Sequence, residues 1–329
     1  MTFDLISLPK AEVHIHLEGC FEPDDIISLA EACGVPLPRP REALYKTEGL
    51  TQFLEFLDWT CGLVRTREQL AAAAYRFSAR MRQSGVRYAD VIVNPTHWAS
   101  WRTRLPEMLD ALDAGFREAE QDGCPPSALC ISLLRQQTSD EAIELVEMLA
   151  ALRHPRVIAL SVDGNEAEAG RTGPRFAEAY RRAARAGLRR TAHAGESSGP
   201  DGVRDAIELL GAERIDHGVR ALEDADLVKI LVEREIPLGI TATSNVELGL
   251  YKDYADHPIE DLRKAGVPVS VNTDDPAILA VSLPQEYARL ASAHGWDKET
   301  VRALARTSIT ASFAMPELKS AMLTDLQAW

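Results

Sequence analysis

Apolar and polar residues alternate over residues 11–17, and this alternation is the first regular pattern in the chain. A period of two is typical of a β-strand, in which side chains two residues apart share a face. Farther along, four apolar residues recur at the spacing of one helical face: Leu50, Phe53, Leu54 and Leu57. These patterns predict a first strand followed by amphipathic helices.

Beyond this region, strand and helix patterns follow each other in a regular order. Apolar runs predict further strands at residues 87–93, 130–134, 157–162, 190–193, 214–217, 236–240 and 267–272. Helical patterns fall between most of them, at residues 139–149, 174–186, 202–210, 224–233 and 258–265. Alternating strands and helices predict a parallel sheet, and eight strands predict an α/β protein with a closed (β/α)8 TIM barrel.

Extra helices are predicted after the first strand and at the C-terminus. A helix opening at Pro23, the stripe around Phe53 and a helix at residues 69–83 all precede the second strand. Residues 296–329 form further terminal helices in this prediction. The long insertion after strand one suggests an elaborated loop region over the barrel mouth. Because no linker, low-complexity tract or repeat divides the sequence, we expect residues 1–329 to form a single domain.

Composition and charge limit the kinds of molecule that the protein is expected to bind and the compartment in which it is expected to work. The 329 residues are 46% hydrophobic and 26% charged, as in ordinary globular proteins, and the net charge of −14 argues against a broad nucleic-acid surface. The sequence has five cysteines, an odd number, and no Cys-x-x-Cys motif, so we expect the thiols to be reduced. The sequence has no leader-like or membrane-spanning segment, so we expect a cytoplasmic protein without membrane contact. These patterns leave the oligomeric state open.

Ionisable side chains gather at the predicted strand ends, where the active site of a barrel lies. Six of them are placed on one rim: His14, His16, His193, His217, Asp274 and Asp275. Each alone has an ordinary alternative, such as a polar group beside the core or, for Asp275, a cap on the next helix. Helix capping, however, does not require four histidines at three strand ends, so the set predicts a functional site.

Three imidazoles and one carboxylate suit a zinc ion with water in the remaining position, and zinc lowers the pKa of such a water to about 7. Glu196, three residues beyond His193, is placed to transfer a proton to a substrate. His97 is a weaker candidate for lining the pocket. Three other histidines fall in loops or helix starts and are expected at the surface: His154, His257 and His294. The stripe around Phe53 fits either core packing or a lid.

Four motifs resemble those of the adenosine deaminase family, within the metal-dependent amidohydrolases. They lie at residues 8–19, 193–196, 214–218 and 272–276, in the order in which the family carries them. The resemblance implies that the domain is a metal-dependent deaminase barrel that hydrolyses the 6-amino group of a purine. It also implies one zinc ion per chain, held by His14, His16, His193 and Asp274.

The resemblance further implies roles around the substrate. Glu196 would protonate N1 of the purine, and His217 would orient the hydroxide that attacks C6. Asp275 would hydrogen-bond N7, and Gly164 would offer its backbone N–H to N3. Phe53 and Leu57 match positions of an apolar lid in the family.

Two departures from the family pattern concern the far end of the substrate pocket. Adenosine-specific members usually carry Asp at the position of Glu18, whereas adenine-specific relatives usually carry Glu, as this chain does. At the position in strand four where the family commonly has Asp, this chain has Ser161. Residues 243–245, by contrast, resemble bacterial adenosine deaminases. The motifs predict deamination of adenosine or 2′-deoxyadenosine to inosine or 2′-deoxyinosine and ammonia. The alternatives are deamination of adenine to hypoxanthine, or of a larger modified adenine nucleoside.

Two other classes of protein, a binuclear hydrolase and a non-catalytic binding protein, can have the same barrel fold. A binuclear hydrolase would need a carboxylated lysine at the end of strand four, and residues 157–165 contain no lysine. A non-catalytic purine-binding barrel would have no use for Glu196 and His217. The small cytidine-type deaminases need a Pro-Cys-x-x-Cys motif, and the sequence lacks one.

Overall fold

The computed structural model describes residues 3–329 and shows a parallel β-barrel surrounded by helices. Its strands pair in sequence order, and they are β1 (Lys10–His16), β2 (Val86–Val93), β3 (Ser127–Leu134), β4 (Val157–Asp163), β5 (Arg189–Ala194), β6 (Arg214–His217), β7 (Leu238–Ile240) and β8 (Val269–Val271). The His16 N–H donates to the Asp274 carbonyl at 2.8 Å, and the Asp274 N–H donates to the His14 carbonyl at 3.2 Å. These bonds join the first strand to the segment after the last, and the predicted (β/α)8 barrel is confirmed.

Helices follow the strands around the outside of the barrel. Within the described range they are α1 (Pro23–Cys33), α2 (Gly49–Gly62), α3 (Arg67–Gln83), α4 (Leu105–Gln121), α5 (Ser139–Leu152), α6 (Glu166–Ala169), α7 (Gly173–Arg185), α8 (Pro200–Glu208), α9 (Ala225–Glu233), α10 (Ala242–Glu247), α11 (Ile259–Lys264), α12 (Leu283–His294), α13 (Lys298–Ala311) and α14 (Pro316–Ala328). Helices α1–α3 form the insertion after strand one. Helices α4, α6, α10 and α12 have no counterpart in the sequence prediction.

The interior of the barrel contains a buried chain of charges. The Arg214 guanidinium donates to Asp90 Oδ2 at 2.8 Å and contacts Asp216 Oδ1 at 3.4 Å. It also stacks on the ring of Phe313, which follows α13, at 4.5 Å from the ring centroid. Asp216 Oδ2 approaches His193 Nδ1 at 3.8 Å. The charged interior therefore connects the C-terminal helices to a predicted metal ligand.

No helix within residues 3–329 combines the length and apolar character needed to cross a bilayer. Met1 and Thr2 lie outside the described residues. The predictions that they belong to the single domain and that they are not part of a leader segment therefore fall outside the described structure.

Candidate active site

The ends of three strands bring the predicted metal ligands together at the barrel mouth. His193 Nε2 lies 3.1 Å from His14 Nε2 and 3.0 Å from His16 Nε2. Asp274 Oδ1 lies 3.3 Å from His14 Nε2 and 3.4 Å from His16 Nε2. A tetrahedral zinc ion with ligands at about 2.0–2.1 Å separates its ligand atoms by about 3.3–3.4 Å. The four atoms are therefore spaced much as such an ion would hold them.

The hydrogen bonding of His14 also fits a cation. Its Nδ1 lies 2.8 Å from the carbonyl oxygen of Gly239. A carbonyl only accepts, so Nδ1 carries the proton and Nε2 presents a lone pair to the cluster. Lone pairs of imidazole nitrogens and a carboxylate oxygen packed this closely repel each other unless a cation lies between them. The donor set fits a metal ion that prefers nitrogen and oxygen ligands.

His217, at the end of β6, lies beside this cluster. A second grouping of ligand atoms contains His217 in place of His16 and fits within 4.8 Å. The separations of 3.0–3.4 Å within the set that contains His16 are shorter and closer to tetrahedral spacing, so we favour that set. His217 Nε2 faces Glu196 Oε1 at 3.6 Å. Burial, with the charge of Asp274, raises the pKa of Glu196 to about 8, which keeps this carboxyl protonated at neutral pH.

The backbone at two strand ends is held in an unfavourable conformation. Both His217 and Asp274 have φ of +66°, in the left-handed region. This conformation costs a residue other than glycine about 1–2 kcal/mol. Such strain persists where the surrounding structure imposes it, often at functional sites. Close approach matters at Gly19, because a Cβ there would overlap the side chain of Asp275.

A cavity opens over the cluster, with about 480 Å³ of space that no atom fills, part of it open to solvent. Its walls contain the predicted substrate-binding residues Glu18, Phe53, Leu57, Gly164 and Asp275. The same walls include His16, His193, Glu196, His217 and Asp274, and His14 contacts two of these. Helix α2 contributes four apolar side chains to the wall. The structure therefore brings all the predicted site residues together around one cavity.

Two acidic side chains in the cavity wall, which we call the distal carboxylates, are Glu18 and Asp163. Glu18 Oε1 accepts from the Asn94 backbone N–H at 2.8 Å and from the Trp98 indole N–H at 2.7 Å. Asp163 Oδ1 accepts from the Asn94 amide at 2.5 Å, while its Oδ2 lies 4.0 Å from His16 Nδ1, on the side of that ring away from the metal ligands. Glu18 Oε2 and Asp163 Oδ2 are buried without a hydrogen-bond partner among the described residues.

Two buried residues that are absent from the sequence prediction hold the loops of the site. The Glu166 carboxylate accepts three backbone N–H groups at 3.0–3.2 Å, those of Gly195, Glu196 and Ser198. Arg135 donates to the Gly164 carbonyl at 3.1 Å and to the His193 carbonyl. Both follow the ends of strands, so the strand-end rule that located the histidines would have found them. Asn94 and Asp163 also lie at strand ends.

The predictions for the remaining histidines have different outcomes. His97 lines the cavity as predicted, with its Nδ1 2.7 Å from Asp58 Oδ1. The prediction that His257 lies at the surface is wrong, because its ring is buried against Asn245 and Tyr251. His154 and His294 are half-buried. The alternative role of Asp275 as a cap on the next helix is not seen, since the N-cap residue of α12 is Ser282. Asp275 Oδ1 has no partner among the described residues.

Comparison with known proteins identifies the family of this chain. The family model described as adenosine deaminase matches residues 9–329. An adenine deaminase of Sinorhizobium fredii is 34% identical over 320 residues, covering 97% of this chain and 98% of that protein. The crystal structure of adenine deaminase from Arthrobacter aurescens has a TM-score of 0.92 at 31% identity and covers 98% of this chain and 99% of that chain.

An amidohydrolase from Burkhoderia ambifaria, solved with bound zinc, has a TM-score of 0.91 at 27% identity, covering 98% of this chain and 91% of its own. The family match includes every residue of the metal-ligand cluster and of the cavity wall. The chain belongs to the adenosine deaminase family and is a hydrolytic deaminase that acts on a C–N bond of a cyclic amidine in a 6-aminopurine.

Proposed function

We propose that this protein is an adenine deaminase, which converts adenine and water to hypoxanthine and ammonia with one zinc ion in its single domain. The observation that carries the proposal is Glu18, whose Oε2 is buried in the cavity wall without a partner. An unsatisfied buried acceptor costs about 1–3 kcal/mol, so a ligand that donates there is favoured. Free adenine has an N–H on its five-membered ring, whereas in adenosine that nitrogen carries the sugar.

The comparisons support the same substrate. The adenine deaminases of Sinorhizobium fredii and Arthrobacter aurescens both match nearly the whole chain. The sequence motifs predict adenosine as the substrate, with adenine as the alternative, and these findings favour the alternative. Glu18 is longer by one methylene than the Asp that adenosine-specific members usually carry, so its carboxylate reaches farther into the space that a sugar would need.

The metal end of the pocket supplies the reacting water. His14, His16, His193 and Asp274 would hold the zinc ion, which when bound lowers the pKa of a water molecule and so makes it nucleophilic near neutral pH. Glu196, kept protonated by burial, gives a proton to N1, which makes C6 more electrophilic. His217, which faces Glu196, orients the attacking oxygen.

Other residues of the wall hold the purine ring. Asp275 pairs with N7, and the Gly164 backbone N–H donates to N3. Phe53 and Leu57 cover the ring and exclude water, which strengthens the polar contacts beneath them. In the reaction the C6–N6 bond breaks and a C6–O bond forms. Of the two protons of the water, one ends on N1 and the other leaves with ammonia.

Parallel assays of adenine, adenosine and 2′-deoxyadenosine, followed by loss of the 6-aminopurine ultraviolet band, test the proposal. We expect kcat/KM for adenine to exceed that for both nucleosides by about 10²-fold or more, because selectivity based on an unpaired polar group is strong. Faster turnover of the nucleosides would identify an adenosine deaminase instead. Purine binding without any product would indicate a non-catalytic barrel.

A further inference from the structure

A chain of buried polar contacts leads from the start of α11 to the ring of His217. The backbone N–H of Ile259 donates to His257 Nδ1 at 3.2 Å. His257 Nε2 lies 3.1 Å from Asn245 Oδ1, and Asn245 Nδ2 lies 3.3 Å from His217 Nδ1. The three side chains are buried, so their polar atoms depend on each other rather than on bulk water.

The first donor of this chain fixes the direction of every later bond. A backbone N–H only donates, so His257 Nδ1 accepts and carries no proton. Neutral His257 then carries its proton on Nε2 and donates to Asn245 Oδ1. Because an amide has one oxygen and one nitrogen, the NH2 group of Asn245 faces His217 and donates to its Nδ1.

Thr241 also contacts His217, with its Oγ1 3.1 Å from Nδ1. A hydroxyl can donate or accept, so it adapts to the ring and does not select a protonation state. Asn245 can select one, because His257 fixes its orientation.

We propose that His257 and Asn245 are positioning residues that hold His217 in the tautomer that carries its proton on Nε2. The catalytic use of this tautomer rests on the proposed function. In this tautomer the N–H faces the Glu196 carboxyl and the cavity. There it donates to the oxygen that attacks C6 and stabilises the charge that develops on it. The same nitrogen has no lone pair to offer a metal, which sets His217 apart from the metal ligands.

His14 shows the opposite arrangement within the same site. The centroids of the His14 and His217 rings are 4.5 Å apart, and both rings have Nδ1 turned towards a polar group of the protein. Behind His14 that group is the Gly239 carbonyl, which accepts a proton. Behind His217 it is an amide NH2 group, which donates one. The partner of Nδ1 therefore decides whether Nε2 is a ligand or a donor.

The neutral charge state of His257 is also consistent with this direction of the hydrogen bonds. Burial, together with the nearby His294, lowers the pKa of His257 to about 3. The ring is therefore neutral throughout the pH range of an assay, and the direction of the hydrogen bonds does not change with pH there.

Nitrogen-15 NMR of histidine-labelled protein, recorded with and without metal and in the absence of purine, measures the tautomer directly. We expect His217 Nε2 to have the shift of a protonated nitrogen and Nδ1 that of an unprotonated one. The measurement needs no substrate, so its result is separate from the identity of the purine. A protonated Nδ1 in the wild-type protein would overturn the proposal, even if adenine is the substrate.

Asn245→Asp is the sharpest variant, because it has nearly the same shape. Its carboxylate still accepts from His257 but presents an acceptor to His217, so the proton of His217 should move to Nδ1. We expect kcat to fall about 10–100-fold, with KM and metal content little changed. An unchanged tautomer and an unchanged kcat would contradict the proposal.

Substitutions at His257 test the same chain of contacts from its other end. His257→Phe frees the Asn245 amide to turn over, so the NMR signals of His217 should show both tautomers. His257→Gln places an amide N–H near the position of Nε2 and should restore the wild-type tautomer. His154→Phe is the matched control, since His154 Nδ1 accepts from the Arg156 N–H at 3.3 Å in the same way but far along the chain from the site. Equal behaviour of the Phe variants at 154 and 257 would reject the role of His257.

Discussion

The two ends of the substrate pocket are built in different ways. At the metal end, the ligand atoms come from strand ends and lie 3.0–3.4 Å from their neighbours in the cluster. At the other end, Glu18 and Asp163 each have one buried oxygen without a hydrogen-bond partner among the described residues. Their neighbours Asn94 and Trp98 lie in the segment that directly follows β2.

This difference separates chemistry from selectivity. The predicted metal ligands are held by the hydrogen bonds of the barrel and by their contacts with each other, so they are in place before a substrate arrives. The distal carboxylates have incomplete hydrogen bonding, so their interactions depend on what the ligand offers. Substitutions at the metal end should therefore change turnover, and substitutions at the distal end should change which purine is used.

The largest effect is expected at the metal end, from His193→Ala. This change removes a nitrogen that contacts both His14 and His16, so the protein should lose its metal and its turnover should fall by about 10⁴-fold or more. Metal analysis and the ultraviolet assay measure the two losses. His97→Ala, in the same cavity but outside the ligand cluster, should keep the metal. Full activity of a metal-free His193→Ala protein would disprove the assignment.

Glu196→Gln should give the next largest effect and separate acid catalysis from metal binding. The amide has nearly the same shape but no acidic proton, so turnover should fall by about 10²–10⁴-fold while the metal remains bound. Metal content and kcat are measured on the same sample. Near-normal turnover would show that Glu196 is not the acid.

Glu18→Asp should act on selectivity more than on turnover. Withdrawing the carboxylate by one methylene opens space for a sugar and weakens the contacts with Asn94 and Trp98. We expect the ratio of kcat/KM for adenosine to that for adenine to rise by about 10–200-fold. The same change at the exposed Glu208 is the control. A constant ratio would remove Glu18 from the selectivity of the pocket.

The pH dependence should be the most gradual effect. Burial and the charges of Asp274 and Glu166 raise the pKa of Glu196 to about 8 from an ordinary 4.5. The acid works only when protonated, so kcat/KM should hold below pH 8 and fall about tenfold per unit as the pH rises above it. A flat profile from pH 7 to about 9.5 would contradict this role.

The metal end could be predicted from the sequence because it depends on two simple regularities. Alternation along β1 puts His14 and His16 on one face, and the barrel rule brings His193 and Asp274 to the same rim. The family resemblance added Glu18, Phe53 and Leu57 to the pocket. The patterns predict neither the helices α4, α6, α10 and α12 nor the buried position of His257.

Other parts of the site depend on contacts that have no periodic signature. The orientation of the Asn245 amide depends on a backbone N–H at Ile259, two residues beyond His257. The open hydrogen-bonding position of Glu18 depends on where the Trp98 indole packs. Both follow from tertiary packing of irregular segments, which single-sequence patterns do not describe.

The seam between β1 and β8 is closed by the same residues that would hold the metal. His16 and Asp274 share a backbone hydrogen bond, and their side chains share the ligand cluster. During protein synthesis the first two ligands leave the ribosome early, and the fourth appears only after nearly the whole barrel has been made. We expect chains arrested before residue 274 to retain zinc far less well than chains released after it. Metal loading would then mark the completion of a nascent barrel.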